Sequence, residues 1–235
     1  MALPSTSALD VVRIDQPVDS SLFERFPWLY AFLRERVFRD DTDRIVASLW
    51  PESAPVGGSN LLELGCGPGF YARRLAERFP EVDVCGIDRS MQQINHATSR
   101  ALESSLANCR FERGDAQAIA YGANSVDVVI ASRLFTILPD PERALGEVHR
   151  VLRPGGRCFV AEPRPHILAR IPLSLMWVAA GIANITRRYR DCYCEPAEPS
   201  LLEREEFSQL ISTQNWGEAR QWADKRYQYA VCSKA

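Results

Sequence analysis

The fold is decided by the stretch Leu61-Leu62-Glu63-Leu64-Gly65-Cys66-Gly67-Pro68-Gly69-Phe70, in which an apolar strand runs directly into a glycine-rich turn. Glycine tolerates positive φ and lets the backbone approach a ligand closely. The residues after the turn have helical spacing, so the free N–H groups of the helix's first turn point at the same place. The stretch therefore predicts a strand, turn and helix that together hold a ligand.

The spacing of the glycines narrows the choice of ligand. A dinucleotide site uses G-x-G-x-x-G, and a phosphate-binding P-loop ends in Gly-Lys-Ser/Thr. Here the third glycine comes one residue early, Phe70 holds the position where the dinucleotide pattern has glycine, and no Gly-Lys-Ser/Thr follows. What remains is E-x-G-x-G-x-G from Glu63 to Gly69, with a plain structural turn as the alternative.

Composition describes an ordinary globular chain. Its 235 residues suit one domain, with 46% hydrophobic and 25% charged residues. A formal net charge of −2 argues against nucleic-acid binding, which needs a basic surface. The sequence opens without a basic segment followed by an apolar stretch, so we predict no secretory signal and expect a cytoplasmic protein.

The seven cysteines are expected to be reduced thiols used as small apolar residues. Cys192 and Cys194 form a C-x-C pair, but a metal site needs further Cys or His ligands at matching spacing. No second pair lies near them in the sequence. We therefore predict no metal.

Strands alternate with helices through the middle of the chain, which indicates a mostly parallel sheet covered on both faces. The expected strands are 61–64, 82–87, 109–113, 126–131 and 157–162, and the expected helices are 70–79, 90–106 and 141–152. Near the end, a helix over 203–214 precedes strands 218–222 and 226–233. The short turn between these two strands makes them antiparallel, because a parallel crossover needs far more chain.

Three other segments flank this alternation. Residues 1–20 are predicted to be a flexible arm, 21–58 to form cap helices, and 163–200 to be a cap insertion in the domain 59–235. Within the insertion, the apolar window 171–185 is too short to span a bilayer. Because three arginines follow it, contact with a membrane surface is the minority alternative for this segment.

Two acidic residues follow strands on the ligand side of the expected sheet. Asp88 ends the second strand, where a carboxylate accepts hydrogen bonds from ribose hydroxyls; its alternative role is a helix N-cap. Asp115 follows the third strand in Gly-Asp-Ala-Gln, where it can accept the exocyclic amine of an adenine. Its alternative role is a turn-forming aspartate.

Together these motifs resemble the class I S-adenosylmethionine-dependent methyltransferases, most closely the group that includes the ubiquinone/menaquinone-biosynthesis and other small-molecule enzymes. The resemblance is strong over about residues 60–165. It rests, in order, on Glu63-Leu-Gly-Cys-Gly-Pro-Gly69, Gly86-Ile-Asp88-Arg-Ser90, Gly114-Asp115-Ala116, Ser125-Val-Asp-Val-Val-Ile-Ala-Ser132, Leu138-Pro-Asp140 and Leu152-Arg-Pro-Gly-Gly156.

The resemblance implies a Rossmann-like α/β fold with seven strands, one of them antiparallel, a helical cap, and S-adenosyl-L-methionine as cofactor. It places Gly65 and Gly67 by the methionine portion, Asp88 at the ribose and Met91 on the adenine. It also places Asp115 and Ala116 at the adenine edge, Ser132 and Arg133 at the methionine end, and Glu63 as the residue that orients the loop or the amino group. The predicted cofactor set is completed by Cys66, Gly69 and Arg89.

The methyl acceptor is expected to be a small apolar or aromatic molecule beneath the cap. Methyl transfer from a sulfonium depends mainly on alignment, so a general base is optional. His166, just past the fifth strand, is the best-placed candidate base. The predicted substrate contacts are Tyr30, Phe135, Met176, Trp177 and Tyr193. Methylation of a protein or RNA, and a non-catalytic cofactor-binding module, are the alternatives from other functional classes.

Overall fold

The computed structural model describes residues 40–165 and 201–235. These residues form a seven-stranded sheet flanked by helices. The strands are β1 (Asn60–Leu64), β2 (Asp83–Asp88), β3 (Cys109–Arg113), β4 (Val126–Ser132), β5 (Leu152–Pro163), β6 (Trp216–Ala223) and β7 (Tyr227–Lys234). The helices are α1 (Thr42–Leu49), α2 (Phe70–Arg78), α3 (Met91–Glu103), α4 (Pro141–Val151) and α5 (Arg204–Ser212), with a 3₁₀ turn at Phe135–Ile137.

The strand order is β3-β2-β1-β4-β5-β7-β6. The first five strands pair in parallel, and β7 pairs antiparallel with both β5 and β6. The predicted Rossmann-like fold, with one strand inserted antiparallel, is therefore confirmed. The chain leaves β1 towards β2 on one side and returns through β4 on the other, so the carboxyl ends of β1 and β4 flank a topological switch point. Ligands of open α/β sheets bind at such points.

Two apolar layers cover the sheet. One face packs against α4 and α5 in a cluster that includes Leu145, Phe207 and Ile211, and the other packs against α1 and α2 with Leu49 and Leu75. The central strand β4 is buried from Val126 to Ala131. Apart from Asp127, this stretch is apolar, as a parallel strand covered on both faces requires.

Most helix and strand ends lie within a few residues of their predicted positions, and the start of β5 is the main exception. We predicted a strand at 157–162, whereas β5 begins at Leu152, directly after α4. The pairing of β4 with β5 shifts register between Val126 and Val128, so a bulge absorbs the Pro-Gly-Gly residues. The Lys234 ammonium donates to the carbonyl oxygens of His149 and Leu152 at 2.8 Å each and caps the end of α4.

The helix starts follow the local sequence. Asp140 caps α4 by accepting a hydrogen bond from the Arg143 N–H at 2.9 Å, with Pro141 in the first turn, as predicted. The predicted arm 1–20, most of the N-terminal cap and residues 166–200 of the insertion lie outside the described residues. Within residues 40–165 and 201–235, no helix is long and apolar enough to cross a membrane.

Candidate functional site

The glycine turn between β1 and α2 has the left-handed backbone that the sequence predicts. φ is 62° at Gly65, 52° at Gly67 and 72° at Gly69, a region that residues with a Cβ rarely occupy. The Gly69 N–H donates to the Cys66 carbonyl at 2.9 Å and closes the turn. Gly65 is half-buried and lies directly after β1, at its carboxyl end.

Aromatic packing explains why two glycines near this turn have no substitute. A Cβ on Gly69 would lie 2.5 Å from the Phe111 ring, and a Cβ on Gly86 would lie 2.7 Å from the same ring and 2.9 Å from the Cys66 Cβ. Real Cβ atoms do not approach other atoms this closely. The ring of Phe111 therefore fixes the distance between the turn and β2.

Glu63 fastens the turn to the helix that follows. Its side chain is 4% exposed, and Oε2 accepts a hydrogen bond from the Ala72 N–H at 2.8 Å. Ala72 is the third residue of α2, so this carboxylate satisfies one of the free N–H groups of the helix start and complements its partial positive charge. Glu63 therefore orients the loop and α2 from inside the protein.

Asp88, at the end of β2, is tied to the same loop. Its Oδ2 accepts from the Gly67 N–H and its Oδ1 accepts from the Ser90 N–H, both at 2.9 Å. Burial raises the pKa of the carboxyl, while the N–H groups of Ser90 and Gly67 lower it. The N-cap of α3 is Ser90, whose hydroxyl accepts from the Gln93 N–H at 3.4 Å. Asp88 is thus not the N-cap of this helix.

Cys66 lies inside the turn as a neutral thiol. It is 4% exposed, and burial raises its pKa well above the usual range, with the charges of Glu63 and Asp88 adding to the effect. A thiolate is the reactive form of cysteine, and this environment opposes its formation. The side chain is therefore a small apolar packing element of the loop.

The residues predicted to surround the adenine lie at the ends of β2 and β3. Met91, the first residue of α3, is 53% exposed, and Arg89 is exposed. Asp115 Oδ1 accepts from the Gln117 N–H at 2.9 Å, so this carboxylate does form a turn. Ala116 is 5% exposed and packs into the core. Their contacts with an adenine remain predictions.

The turn after β4 contains a strained residue. Arg133 has φ of 58°, which is uncommon for a residue with a side chain. Its N–H donates to the Ala161 carbonyl at 2.7 Å, and its guanidinium donates to the Tyr227 hydroxyl at 3.3 Å. Strain of this kind concentrates at functional sites. Ser132, which precedes Arg133, is half-buried at the same edge.

Glu162, which the sequence analysis did not single out, holds this turn from the neighbouring strand. Its Oε1 accepts from the N–H groups of Leu134 at 2.8 Å and Phe135 at 2.9 Å. The side chain is 0% exposed. Burial raises its pKa to about 7, against the lowering effect of the Phe135 and Leu134 N–H groups. The only sequence signal was an acidic residue at the end of an apolar strand.

Of the five predicted substrate contacts, Phe135 lies among the described residues. Phe135 is 1% exposed and belongs to the core cluster beneath the β4 turn, so its contact with an acceptor remains a prediction. The candidate base and the remaining substrate contacts lie outside the described residues: His166, Tyr30, Met176, Trp177 and Tyr193. Cys192 and Cys194 also lie outside them, and no group of metal-ligating side chains occurs in the part of the chain that the structure describes.

The fold, together with the residues at the carboxyl ends of its parallel strands, defines a class of protein. A left-handed glycine turn and a carboxylate joined to it by a backbone hydrogen bond lie beside the switch point, as a site for the nucleoside part of a ligand requires. Each oxygen of Asp88 accepts one hydrogen bond from the protein and keeps capacity for a second. These are features of a Rossmann-like nucleoside-binding domain of the methyltransferase type.

Comparison with known proteins identifies the family. Residues 56–224 match the family model described as a methyltransferase domain. The chain is 30% identical over 177 residues to the ubiquinone/menaquinone biosynthesis C-methyltransferase of Dinoroseobacter shibae, a match that covers 71% of this chain and 70% of that protein. The chain belongs to the class I S-adenosylmethionine-dependent methyltransferases, and the predicted cofactor, S-adenosyl-L-methionine, is confirmed with the family.

Other relatives match over shorter stretches. The trans-aconitate 2-methyltransferase of Deinococcus radiodurans is 35% identical over 108 residues, which are 46% of this chain and 39% of that protein. The chain thus spans less than half of the length of this and several other curated relatives. A solved S-adenosylmethionine-dependent methyltransferase from Aquifex aeolicus shares the fold, with a TM-score of 0.62 at 18% identity over 90% of this chain and 97% of that one.

Proposed function

We propose that this protein transfers the methyl group of S-adenosyl-L-methionine to a small, apolar or aromatic molecule by direct displacement. The main observation in support is the hydrogen bond from the Gly67 N–H to the Asp88 carboxylate at 2.9 Å, which connects Asp88 to the glycine turn. Support for a small acceptor comes from the names of the relatives, which include enzymes of quinone biosynthesis and of trans-aconitate methylation.

In this proposal the cofactor supplies an electrophilic methyl group on a sulfonium. Asp88 accepts hydrogen bonds from the ribose hydroxyls, and Gly65 and Gly67 let the backbone pass close to the methionine portion. Ser132 and Arg133 line the methionine end of the site. Because displacement needs the nucleophile, methyl carbon and leaving group in line, these residues contribute chiefly by orientation.

Proton removal from the acceptor falls to His166 in this proposal. An imidazole near its ordinary pKa accepts a proton from a phenol or enol at neutral pH. Replacement of His166 by Asn is expected to lower kcat for such an acceptor and to leave the affinity for S-adenosylhomocysteine unchanged. An acceptor that is already a nucleophile without proton loss would show no change.

Two measurements test the proposal. Titration calorimetry should show that the protein binds S-adenosylmethionine and S-adenosylhomocysteine. If it binds neither, the proposal is contradicted before any transfer assay. The protein is then incubated with a methyl-labelled donor and fractionated small molecules. Label in a small molecule supports the proposal, whereas label only in a protein or RNA fraction, or binding without any transfer, contradicts it.

A further inference from the structure

Two buried oxygens that have no hydrogen-bond partner among residues 40–165 and 201–235 lie opposite each other at the end of β5. They are Oε2 of Glu162 and Oε1 of Gln228. The side chains are 0% and 2% exposed, and the two residues are register partners of β5 and β7. Directly opposed residues of antiparallel strands hold their Cβ atoms about 4.5–5.5 Å apart. The two side chains therefore leave the sheet next to each other on the same face.

The second polar atom of each side chain is already engaged. Oε1 of Glu162 accepts from the N–H groups of Leu134 and Phe135. Nε2 of Gln228 donates to the Leu202 carbonyl at 2.8 Å. This bond fixes the orientation of the amide, because a flipped amide would set its oxygen against the Leu202 oxygen. The buried atom Oε1 of Gln228 is therefore an acceptor that needs a donor.

We propose that Glu162 carries a proton on Oε2 and donates it in a hydrogen bond to Oε1 of Gln228. An ionised carboxylate offers only acceptors. Its Oε2 could bond to a donor such as the Thr136 hydroxyl, but Oε1 of Gln228 would stay without a partner among the described residues. One proton satisfies both, as buried polar groups require. The result is a chain of hydrogen bonds from the amides of Leu134 and Phe135, through Glu162 and Gln228, to the carbonyl of Leu202.

The surroundings favour the neutral acid. Burial is the largest influence on the pKa of Glu162. The groups that lower this pKa are the N–H groups of Phe135, Leu134 and Thr136 and the hydroxyl of Thr136, and none of them carries a charge. Along the same face, β5 and β7 contribute Val160 and Ala230, followed by the buried thiols of Cys158 and Cys232. The buried face of α5 adds only Phe207, Leu210 and Ile211. No cation in this set stabilises an ionised carboxylate.

The chain of hydrogen bonds makes Glu162 a positioning residue. It holds the backbone of Leu134 and Phe135, and these residues follow the strained Arg133. At its other end it reaches Leu202, two residues before α5 begins at Arg204. The orientation of the β4 turn is therefore coupled to the segment that enters α5. The expected effect of this coupling on cofactor binding rests on the proposed function, whereas the hydrogen bonds themselves do not.

The decisive variant is Glu162→Gln, because an amide copies the protonated acid at every pH. Its oxygen can accept from the two backbone N–H groups, and its NH₂ can donate to Gln228. We expect the urea midpoint of the wild-type protein, relative to that of Glu162→Gln, to fall as the pH rises towards about 7 and to level off above it. Subtraction of the two curves removes the other titrating groups. Glu162→Leu, similar in size but unable to form hydrogen bonds, should have a lower midpoint throughout.

Three results would overturn the inference. The first is a difference curve without a bend between pH 5 and 9. The second is a Glu162→Gln midpoint at pH 6 as low as that of Glu162→Leu. The third concerns the alternative donor: if Thr136→Val abolishes the bend and Gln228→Leu does not, Oε2 is partnered by the Thr136 hydroxyl. The inference predicts that Gln228→Leu displaces the bend in the difference curve and that Thr136→Val does not.

Backbone exchange and ligand binding test the positioning role. Amide hydrogen exchange at Leu134 and Phe135 should match wild type in Glu162→Gln and be at least tenfold faster in Gln228→Leu above pH 7. S-adenosylhomocysteine should bind Glu162→Gln within twofold of wild type and Gln228→Leu at least fivefold more weakly. Unchanged exchange in Gln228→Leu would overturn the positioning role. Since the folding and exchange experiments need no ligand, failure of the proposed function leaves their outcome intact.

Discussion

Replacement of Asp88 by Asn separates its two roles. The carboxylate accepts the Gly67 and Ser90 N–H groups, one on each oxygen. An asparagine has one oxygen, so its NH₂ group must face one of these two donors and leave that N–H unsatisfied. Loss of a hydrogen bond to a charged acceptor costs about 1.5–3 kcal/mol. We therefore expect the free energy of unfolding to fall by about that amount.

The same substitution should also weaken cofactor binding, for a separate reason. The amide of the Asp88→Asn variant would also present a donor where ribose hydroxyls donate, so a further bond to a charged acceptor is lost. At about 1.4 kcal/mol for each factor of ten, the Kd for S-adenosylhomocysteine should rise about 10- to 100-fold. Calorimetry on the folded variant measures this loss of affinity, and urea unfolding measures the loss of stability.

The matched control is Asp140→Asn, which changes the same side chain at the start of α4. The Asp140 side chain accepts the Arg143 N–H at 2.9 Å, and asparagine is an equally good N-cap. Stability and affinity should both stay near wild type. If Asp88→Asn lowers stability but keeps the wild-type Kd, Asp88 only anchors the loop. If neither changes, the reasoning about this carboxylate is refuted.

Three further predictions concern the same edge of the sheet. Glu63→Ala removes the acceptor for the Ala72 N–H and should lower the free energy of unfolding in urea by about 1–2 kcal/mol. Glu63→Gln should lower it less, and equal losses would contradict the capping role. Gly86→Ala should cost about 1–3 kcal/mol by overpacking, and Phe111→Leu in the same chain should recover part of this loss, since the Phe111 ring is the nearest obstacle and the Cys66 Cβ remains. No recovery would contradict this explanation. The pKa of Glu162, raised from 4.5 to about 7, means that the folded state holds the proton more tightly than the unfolded state. Its contribution to stability should fall by about 3 kcal/mol as pH rises through this window, measured as wild type minus Glu162→Gln; a rise would refute the sign.

The sequence predicted the parallel half of the fold well because each boundary there has a local cause. Glycine turns, the Asp140-Pro141 helix start and the apolar runs of β1, β2 and β4 are all visible in a few consecutive residues. The start of β5 was wrong because Pro-Gly-Gly looks like a break. In the folded protein a bulge and the ammonium of Lys234, some eighty residues away, accommodate it.

The site residues, too, were predicted where their position has a local cause and missed where it does not. Asp88 was predicted because its position follows from one strand and one turn. Glu162 was missed because its partners are Leu134 and Phe135, 28 and 27 residues away, and Gln228 on another strand. No local pattern specifies the register of β5 against β7. A buried acid whose role depends on cross-strand neighbours becomes visible only once the sheet is assembled.

The early third glycine has a physical explanation in this structure. In the dinucleotide pattern the third glycine permits close packing between helix and strand. Here Gly69 serves that purpose one residue sooner, because its missing Cβ leaves room for the ring of Phe111 on β3. Phe70 then follows as the first residue of α2 and is buried. The Gly67 N–H of the same turn donates to Asp88, so a loop whose spacing departs from the dinucleotide pattern is joined to the carboxylate expected to hold the ribose.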